Sequence, residues 1–147
     1  DKAVELGATH TVKVDEVEDV PREVKGFTPR NRGADVSVDA LGIAQTCRNS
    51  VRSLSTLGQH LQIGLTTSEE EGEVSLPVDE VVFDEREFLG SYGMPAHEYE
   101  DIFRMMDAGT IDPGAIVSET VSLEEVPETI ASMGEYDTVG IPVCNEF

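Results

Sequence analysis

Basic residues are scarce in this chain, and tryptophan is absent. Ten Lys and Arg stand against thirty Asp and Glu, for a formal charge of −20 over 147 residues. A surface with that balance repels phosphate backbones and anionic lipid headgroups, so neither nucleic acid nor a membrane surface is an expected partner. Only two cysteines occur, Cys47 and Cys144. They are too few for a disulfide framework and too far apart for a C-x-x-C site, so both read as buried thiols. No apolar run approaches 18 residues and no leader-like segment is present, which points to the cytoplasm. Aromatics reach only 5%, but hydrophobic residues reach 39%, enough for a folded core. Abundant acid with few lysines and few large aromatics suits a salt-rich cytosol, where screening weakens self-repulsion, and a halophilic origin is expected.

Several chemical signatures are missing too. There is no G-x-G-x-x-G and no G-x-x-x-x-G-K-[ST], so no phosphate-gripping turn accompanies the strands. There is no G-x-S-x-G elbow, and Ser91 has no assignable histidine and acid partners. His10, His60 and His97 form no H-E-x-x-H or other ligand pair and read as structural or solvated. Asp79, Asp84, Glu85 and Glu87, like the run Glu69-Glu70-Glu71, read as solvated carboxylates. The chain opens without methionine inside what reads as a helix, as the later part of a longer polypeptide would.

What is present is an alternation of helices and short strands. Residues 2–8 read as the end of a helix with a glycine cap, and 9–14 as a short strand. Val20, Val24 and Phe27 share a helical face. Val36, Val38 and Ala40 share one face of a half-buried strand. Ile43, Cys47, Val51 and Leu54 recur at helical spacing, predicting a helix over 43–57. Leu57-Gly58-Gln59 then reads as a turn, and 60–65 as a strand. Residues 66–73 are a loop, 74–77 an extended edge piece, 78–84 a turn or two of helix, and 87–92 a strand. A strong amphipathic helix follows over 97–108, with Tyr99, Ile102, Phe103 and Met106 on one side. Alternation of this kind predicts an α/β fold with a parallel sheet.

Beyond Asp112-Pro113-Gly114 the pattern changes. A strand over 116–121 precedes a capping box, Ser122-Leu123-Glu124-Glu125, and a helix whose first turn Pro127 should disturb. A last strand is predicted over 138–143. A domain boundary is therefore expected near 109–114: residues 1–110 form part of a cofactor-binding domain, and 111–147 part of a second domain.

Three strands leave the sheet through small or glycine-flanked corners: Ala40-Leu41-Gly42, Ile63-Gly64-Leu65 and Leu89-Gly90-Ser91. Parallel strands align such corners along one crevice at their carboxyl ends, where open α/β sheets bind ligands. Glycine admits close approach, main-chain groups can hold a carboxamide or ribose, and the aliphatic side chains can flank flat rings. Simple turn geometry accounts for the same residues equally well.

The order and spacing of several motifs resemble the medium-chain, zinc-type alcohol dehydrogenases over nearly the whole chain. These are Ala3-Val4-Glu5-Leu6-Gly7-Ala8-Thr9-His10, Arg32-Gly33-Ala34-Asp35-Val36 through Asp39-Ala40-Leu41-Gly42, and Leu57-Gly58-Gln59 into Ile63-Gly64-Leu65. Phe88-Leu89-Gly90-Ser91, Gly109-Thr110-Ile111-Asp112-Pro113 and Ser122-Leu123-Glu124-Glu125-Val126-Pro127 continue the series. The resemblance implies an incomplete Rossmann-type sheet with helices on both faces, followed by a short return into the catalytic domain. It implies hydride transfer between an alcohol and NAD or NADP, assisted by zinc in the full-length enzyme. Leu41 and Gly42 would line the adenosine side; Ile63, Gly64 and Leu65 would flank the nicotinamide; Leu89, Gly90 and Ser91 would offer it main-chain contacts. The piece at 74–77 resembles the edge through which subunits pair into a homo-oligomer. The glycine fingerprint, the residue that chooses between NAD and NADP, and the zinc ligands belong upstream of Asp1 in this family. Near the end of the chain, Gly140-Ile141 stands where relatives often carry a basic residue after glycine. The isolated chain is accordingly expected to be inactive and poorly stable or association-prone at low salt. A zinc-free quinone or enoyl reductase of the same superfamily is the alternative enzyme, and a ligand-sensing or interaction domain the alternative outside enzymes.

Overall fold

A computed structural model describes residues 2–134 and 139–146 and divides into two compact units, Thr9–Gly93 and Asp1–Ala8 with Met94–Phe147. The short helix α1 (Lys2–Glu5) belongs to the second of these.

Within Thr9–Gly93 the order is α2 (Val20–Gly26), β1 (Ala34–Asp39), α3 (Ala44–Arg52), β2 (Leu54–Gln62), α4 (Val78–Phe83) and β3 (Glu87–Gly90). The three strands form one parallel sheet in the order β1-β2-β3, as the alternation predicts. Asp19 starts α2, its carboxylate accepting from the Arg22 amide at 3.0 Å, and Pro21 stands in the first turn, where no amide is required. The core sits where α3 crosses the sheet: Cys47, Val51, Leu54 and His60 are essentially inaccessible. Burial of an aliphatic such as Val51 or Leu54 contributes about 1.5–3 kcal/mol each.

The alternation in β1 is as read, but its buried side is the polar one. Ser37 is half-buried and Asp39 buried, on the face beneath α3, whereas Val36 and Val38 are 57% and 51% exposed. Leu89 shares their face through the register Val38↔Leu61↔Leu89 and is 45% exposed.

Four other local expectations need correction. Residues 9–14 form no ladder; alternation makes a strand only where a neighbouring backbone takes up its amides and carbonyls, and here the chain passes instead into a 3-10 turn at Val14–Glu16. The helix predicted to Leu57 ends at Arg52, and Leu54 heads β2. Its spacing from Val51 fits a helical face, but its backbone pairs with Ala34. The turn read at 57–59 survives as an irregularity inside β2. The register jumps from Ala34↔Leu54 to Val36↔Gln59, and Leu57 takes a left-handed conformation, φ 60°. The piece at 74–77 has no regular secondary structure, turns at Pro77 where the Val78 amide donates to the Leu76 carbonyl at 3.0 Å, and pairs with no strand among the described residues.

The other unit contains α5 (Tyr99–Asp107) and the parallel pair β4 (Val117–Ser122) and β5 (Ile141–Glu146), connected through α6 (Val126–Met133). Asp112 starts the turn before β4 by accepting from the Gly114 amide at 3.0 Å. Half of the predicted capping box forms: the Glu125 carboxylate accepts from the Ser122 amide and hydroxyl, both at 2.8 Å, which lowers its pKa. The Glu125 amide goes to the Ser122 carbonyl rather than to the side chain. Pro127 stands in the first turn of α6, where its missing N–H costs no helical bond, so it does not disturb the helix as expected. The last predicted strand begins in part outside the described residues; β5 starts at Ile141. Cys144 is only half-buried, unlike the fully buried Cys47.

Candidate functional site

The parallel order of β1, β2 and β3 places the three predicted corners side by side at the carboxyl end of the sheet. The first two are in backbone contact. A Cβ on Gly42 would fall 1.9 Å from the Leu65 carbonyl oxygen, and one on Gly64 would fall 2.5 Å from the Gly42 nitrogen. Gly42 also has φ +87°, so glycine is required there twice over. The third corner is tied to the second by the Ser91 amide, which donates to the Gln62 carbonyl at 3.0 Å. Gly90 is open: a Cβ there would meet nothing within 4 Å. Leu41, Ile63, Leu65 and Leu89 are 45%, 45%, 73% and 45% exposed, so apolar side chains do border the row of corners.

Asp39, at the end of β1, organises the first corner. Its buried carboxylate accepts from the amides of Leu41 (3.1 Å) and Gly42 (3.3 Å), from Thr46 Oγ1 (2.9 Å) and from Gln62 Nε2 (2.8 Å). Its carbonyl accepts from the amides of Ile63 and Gly64 at 3.0 and 2.9 Å. Burial alone would raise the Asp39 pKa, but the bonds from Gln62, Thr46, Gly42 and Leu41 together outweigh it, and the pKa is lowered. Burial and, less strongly, the same carboxylate push the Cys47 thiol up, which makes it a poor nucleophile.

This bonding narrows what the corners offer a ligand. The amides of Leu41, Gly42, Ile63, Gly64 and Ser91 are all engaged inside the protein. A bound group would therefore meet main-chain carbonyls and apolar side chains rather than free N–H donors at those five positions.

Three residues at this site went unnoticed in the sequence. Asp39 and Gln62 carry no local signal as anchors. Glu70, read as one of a solvated run, instead reaches back to α3: its carboxylate accepts from the Ala44 amide (3.0 Å), and from the amide (3.2 Å) and hydroxyl of Thr67. The Thr67 hydroxyl and the Ala44 amide lower its pKa, and the bond to Ala44 supplies the side-chain cap that Ile43 cannot. His60 and His10 are structural, as expected. His60 is buried and hydrogen-bonded on both ring nitrogens, and His10 stacks on Phe27 with ring centroids 4.3 Å apart.

Among the described residues no three His, Cys, Asp or Glu side chains gather to hold a metal ion. The residues present therefore do not fit a zinc site. A surface cleft of about 900 Å³ opens elsewhere, bordered by Val17, Asp19, Pro21, Asn31, Gln45 and Asn49. None of the corner residues borders it. Its mixed lining of carboxylates, guanidinium and amide groups offers no one ligand chemistry, and the corners remain the better candidate.

Residues 1–108 match the sequence profile of a family described as zinc-binding dehydrogenase. The chain belongs to that family. The structural relatives are alcohol dehydrogenases and zinc-binding dehydrogenases, which bears out the resemblance and the α/β fold. An NAD-dependent alcohol dehydrogenase superimposes with a TM-score of 0.83 at 26% identity, over 99% of this chain and 40% of its own. The 2R,3R-butanediol dehydrogenase of Bacillus subtilis gives 0.81 at 21% identity, again over 99% and 40%. A zinc-binding dehydrogenase of Sinorhizobium meliloti, solved bound to NADP, gives 0.75 at 27% identity, over 88% and 37%. The chain thus spans about two fifths of the length of the solved structures it matches. No curated protein matches it. No described helix is long and apolar enough to cross a membrane.

Proposed function

We propose that the chain is the later part of the nicotinamide-cofactor-binding domain of an alcohol dehydrogenase, followed from about residue 111 by part of its catalytic domain. The observation that carries this reading is the row of three corners at the ends of adjacent parallel strands, with two of them in backbone contact and the third open at Gly90. Leu41 and Gly42 would border the adenosine portion. Ile63, Gly64 and Leu65 would flank the nicotinamide, and Leu89, Gly90 and Ser91 would line the carboxamide. Because amides in the corners are engaged internally, the carboxamide NH₂ would donate to main-chain carbonyls, while Leu65 and Leu89 cover the ring.

The reaction of the whole enzyme would move a hydride from the carbinol carbon of an alcohol to the nicotinamide ring. The hydroxyl proton would leave to solvent, and an aldehyde or ketone would form. Zinc, when bound by ligands from elsewhere in the full-length protein, would polarise the alcohol oxygen. The isolated chain would be inactive, and the piece at 74–77 would serve subunit pairing into a homo-oligomer. A cytoplasmic, salt-rich setting fits the charge of −20.

The test is direct. The chain contains no tryptophan, so the emission of bound NADH and NADPH can be followed without indole background from this region. Saturable binding of either by the full-length polypeptide, lost on blocking the third corner with Gly90→Val, supports the reading. Absence of binding at millimolar cofactor would overturn it in favour of a domain with no nicotinamide chemistry. Alcohol oxidation abolished by a chelator separates the zinc enzyme from a zinc-free quinone or enoyl reductase.

A further inference from the structure

We infer that Gln62 and His60 are positioning residues for the cofactor corners, through a hydrogen-bonded relay that runs from Ser37 across β2 to Asp39. The inference rests on the proposed function, whose corners it says are set in place by side chains that never touch the ligand.

The proton positions in this relay follow from its partners. Gln62 Nε2 stands 2.8 Å from Asp39 Oδ2 and 2.8 Å from the Gly64 carbonyl oxygen. Both are acceptors, so the amide nitrogen must face them, and both of its hydrogens are used. Gln62 Oε1 therefore faces His60 Nε2, at 3.0 Å, and that nitrogen must carry a hydrogen. In a neutral ring Nδ1 is then an acceptor, and the Ser37 hydroxyl, 3.1 Å away, donates to it. Every donor in the chain Ser37–His60–Gln62–Asp39 has one direction.

The position of Gln62 gives the relay its consequence. Its two hydrogens link Asp39, which holds the amides of Leu41 and Gly42, to the carbonyl of Gly64. One side-chain amide thus staples the first corner to the second at the point where their backbones are in contact. His60 reinforces the rotation that those two acceptors set: its Nε2–H gives Gln62 Oε1 a donor on the side away from the corners, so both ends of the amide are paired. His60 is itself held between Ser37 on β1 and the ring of Phe88 on β3, with centroids 4.6 Å apart and an interplanar angle of 40°. Buried polar networks of this kind hold one geometry only while every member is paired.

Four variants of the full-length protein test this. Gln62→Glu keeps the shape but sets an ionised carboxylate against Asp39 and the Gly64 carbonyl. It should weaken NADH binding at least tenfold at pH 8 and recover part of it near pH 5, where the introduced carboxyl group, once protonated, can donate to one of the two acceptors; wild-type binding should change far less over that range. His60→Gln retains a donor where Nε2 stands and should bind within about threefold of wild type, while His60→Met should lose roughly tenfold. Ser37→Ala is a mild variant that keeps the fold assessable if Gln62→Glu does not accumulate. It should alter the ¹⁵N shifts of the His60 ring, which in wild type should show the Nε2–H form. Equal NADH affinity of wild type, Gln62→Glu and His60→Met at every pH would overturn the relay while leaving the proposed function standing. So would an Nδ1–H ring at His60, a readout independent of cofactor. Loss of binding by wild type itself would overturn the proposed function, and the relay's role at a cofactor site with it.

Discussion

The α carbon of Gly42 lies so close to Leu65 that a Cβ there would stand 1.9 Å from the Leu65 carbonyl oxygen, closer than any non-bonded pair can remain. The first and second corners of the candidate site are therefore one backbone contact, and side chains are excluded from it. Gly90, in the third corner, has open space around its α carbon.

Substitution separates these two glycines. Gly42→Ala should destabilise the protein by about 3 kcal/mol or more, combining left-handed strain with a displaced loop at 63–65. Gly90→Ala should leave stability within about 0.5 kcal/mol of wild type, since a strand accepts alanine there without contact. Urea unfolding of both variants gives the comparison. Equal stability losses would show that the 41–42 and 63–65 loops do not meet as described.

Asp39 makes part of the stability pH-dependent. Its pKa is lowered from the ordinary 3.8 on folding, so the folded state favours the carboxylate. Its contribution is complete above that ordinary value and is lost as pH falls through the lower, folded one. Asp39→Asn should remove this acid-sensitive component and cost about 1.5–3 kcal/mol at pH 7, because its NH₂ would oppose the amides or Gln62. Urea midpoints between pH 7 and pH 2 measure both effects. A wild type and variant with parallel pH profiles would show that Asp39 is not held as the carboxylate.

Arg86 is a buried polar anchor at the opposite end of the sheet. Its side chain is 4% exposed, donates to the carbonyls of Val51 (3.1 Å) and Leu54 (3.0 Å), and pairs with Asp84 at 2.6 Å. It thereby caps the last turn of α3 and joins it to the start of β3. Arg86→Met should cost about 3–5 kcal/mol, since both carbonyls and Asp84 lose their donor. Arg52, half-exposed and paired with Glu80 at 3.1 Å, should cost less than about 1 kcal/mol on change to Ala. Thermal unfolding of the two variants ranks them, and equal losses would contradict the burial difference.

What could be read from the sequence follows from how local each signal is. The corners were legible because Gly42, Gly64 and Gly90 each end or closely follow a short strand, and parallel strands must bring such points together. The end of α3 was not legible, because Leu54 continues the spacing of Cys47 and Val51 even though its backbone has entered β2. The buried side of β1 was misleading for a different reason: Val36 and Val38 mark an apolar face, but α3 lies over Ser37 and Asp39. The relay left no trace because it joins residues across a ladder. Ser37 to His60 and Asp39 to Gln62 are both 23 residues apart, a separation set by the register of β1 on β2 rather than by any local pattern.

Salt should decide whether the chain holds together. Of thirty acidic residues, those in ion pairs among the described residues are Glu5, Glu16, Asp35, Glu80, Asp84 and Asp101. Most of the described carboxylates therefore have no cationic partner, and their mutual repulsion through solvent extends about 10 Å at 0.1 M salt but only about 3 Å at 1 M. The half-exposed Val36, Val38 and Leu89 add an apolar face whose burial salt also favours. Raising KCl from 0.1 to 2 M should lift Tm by roughly 10 °C, while sucrose at matched osmolality should lift it far less, because it acts by exclusion from the surface without screening charge. At low salt the chain should unfold broadly or associate. A sharp, cooperative transition of a monomer at 0.1 M, with Tm unmoved by KCl, would show that the acidic surface is no adaptation to salt.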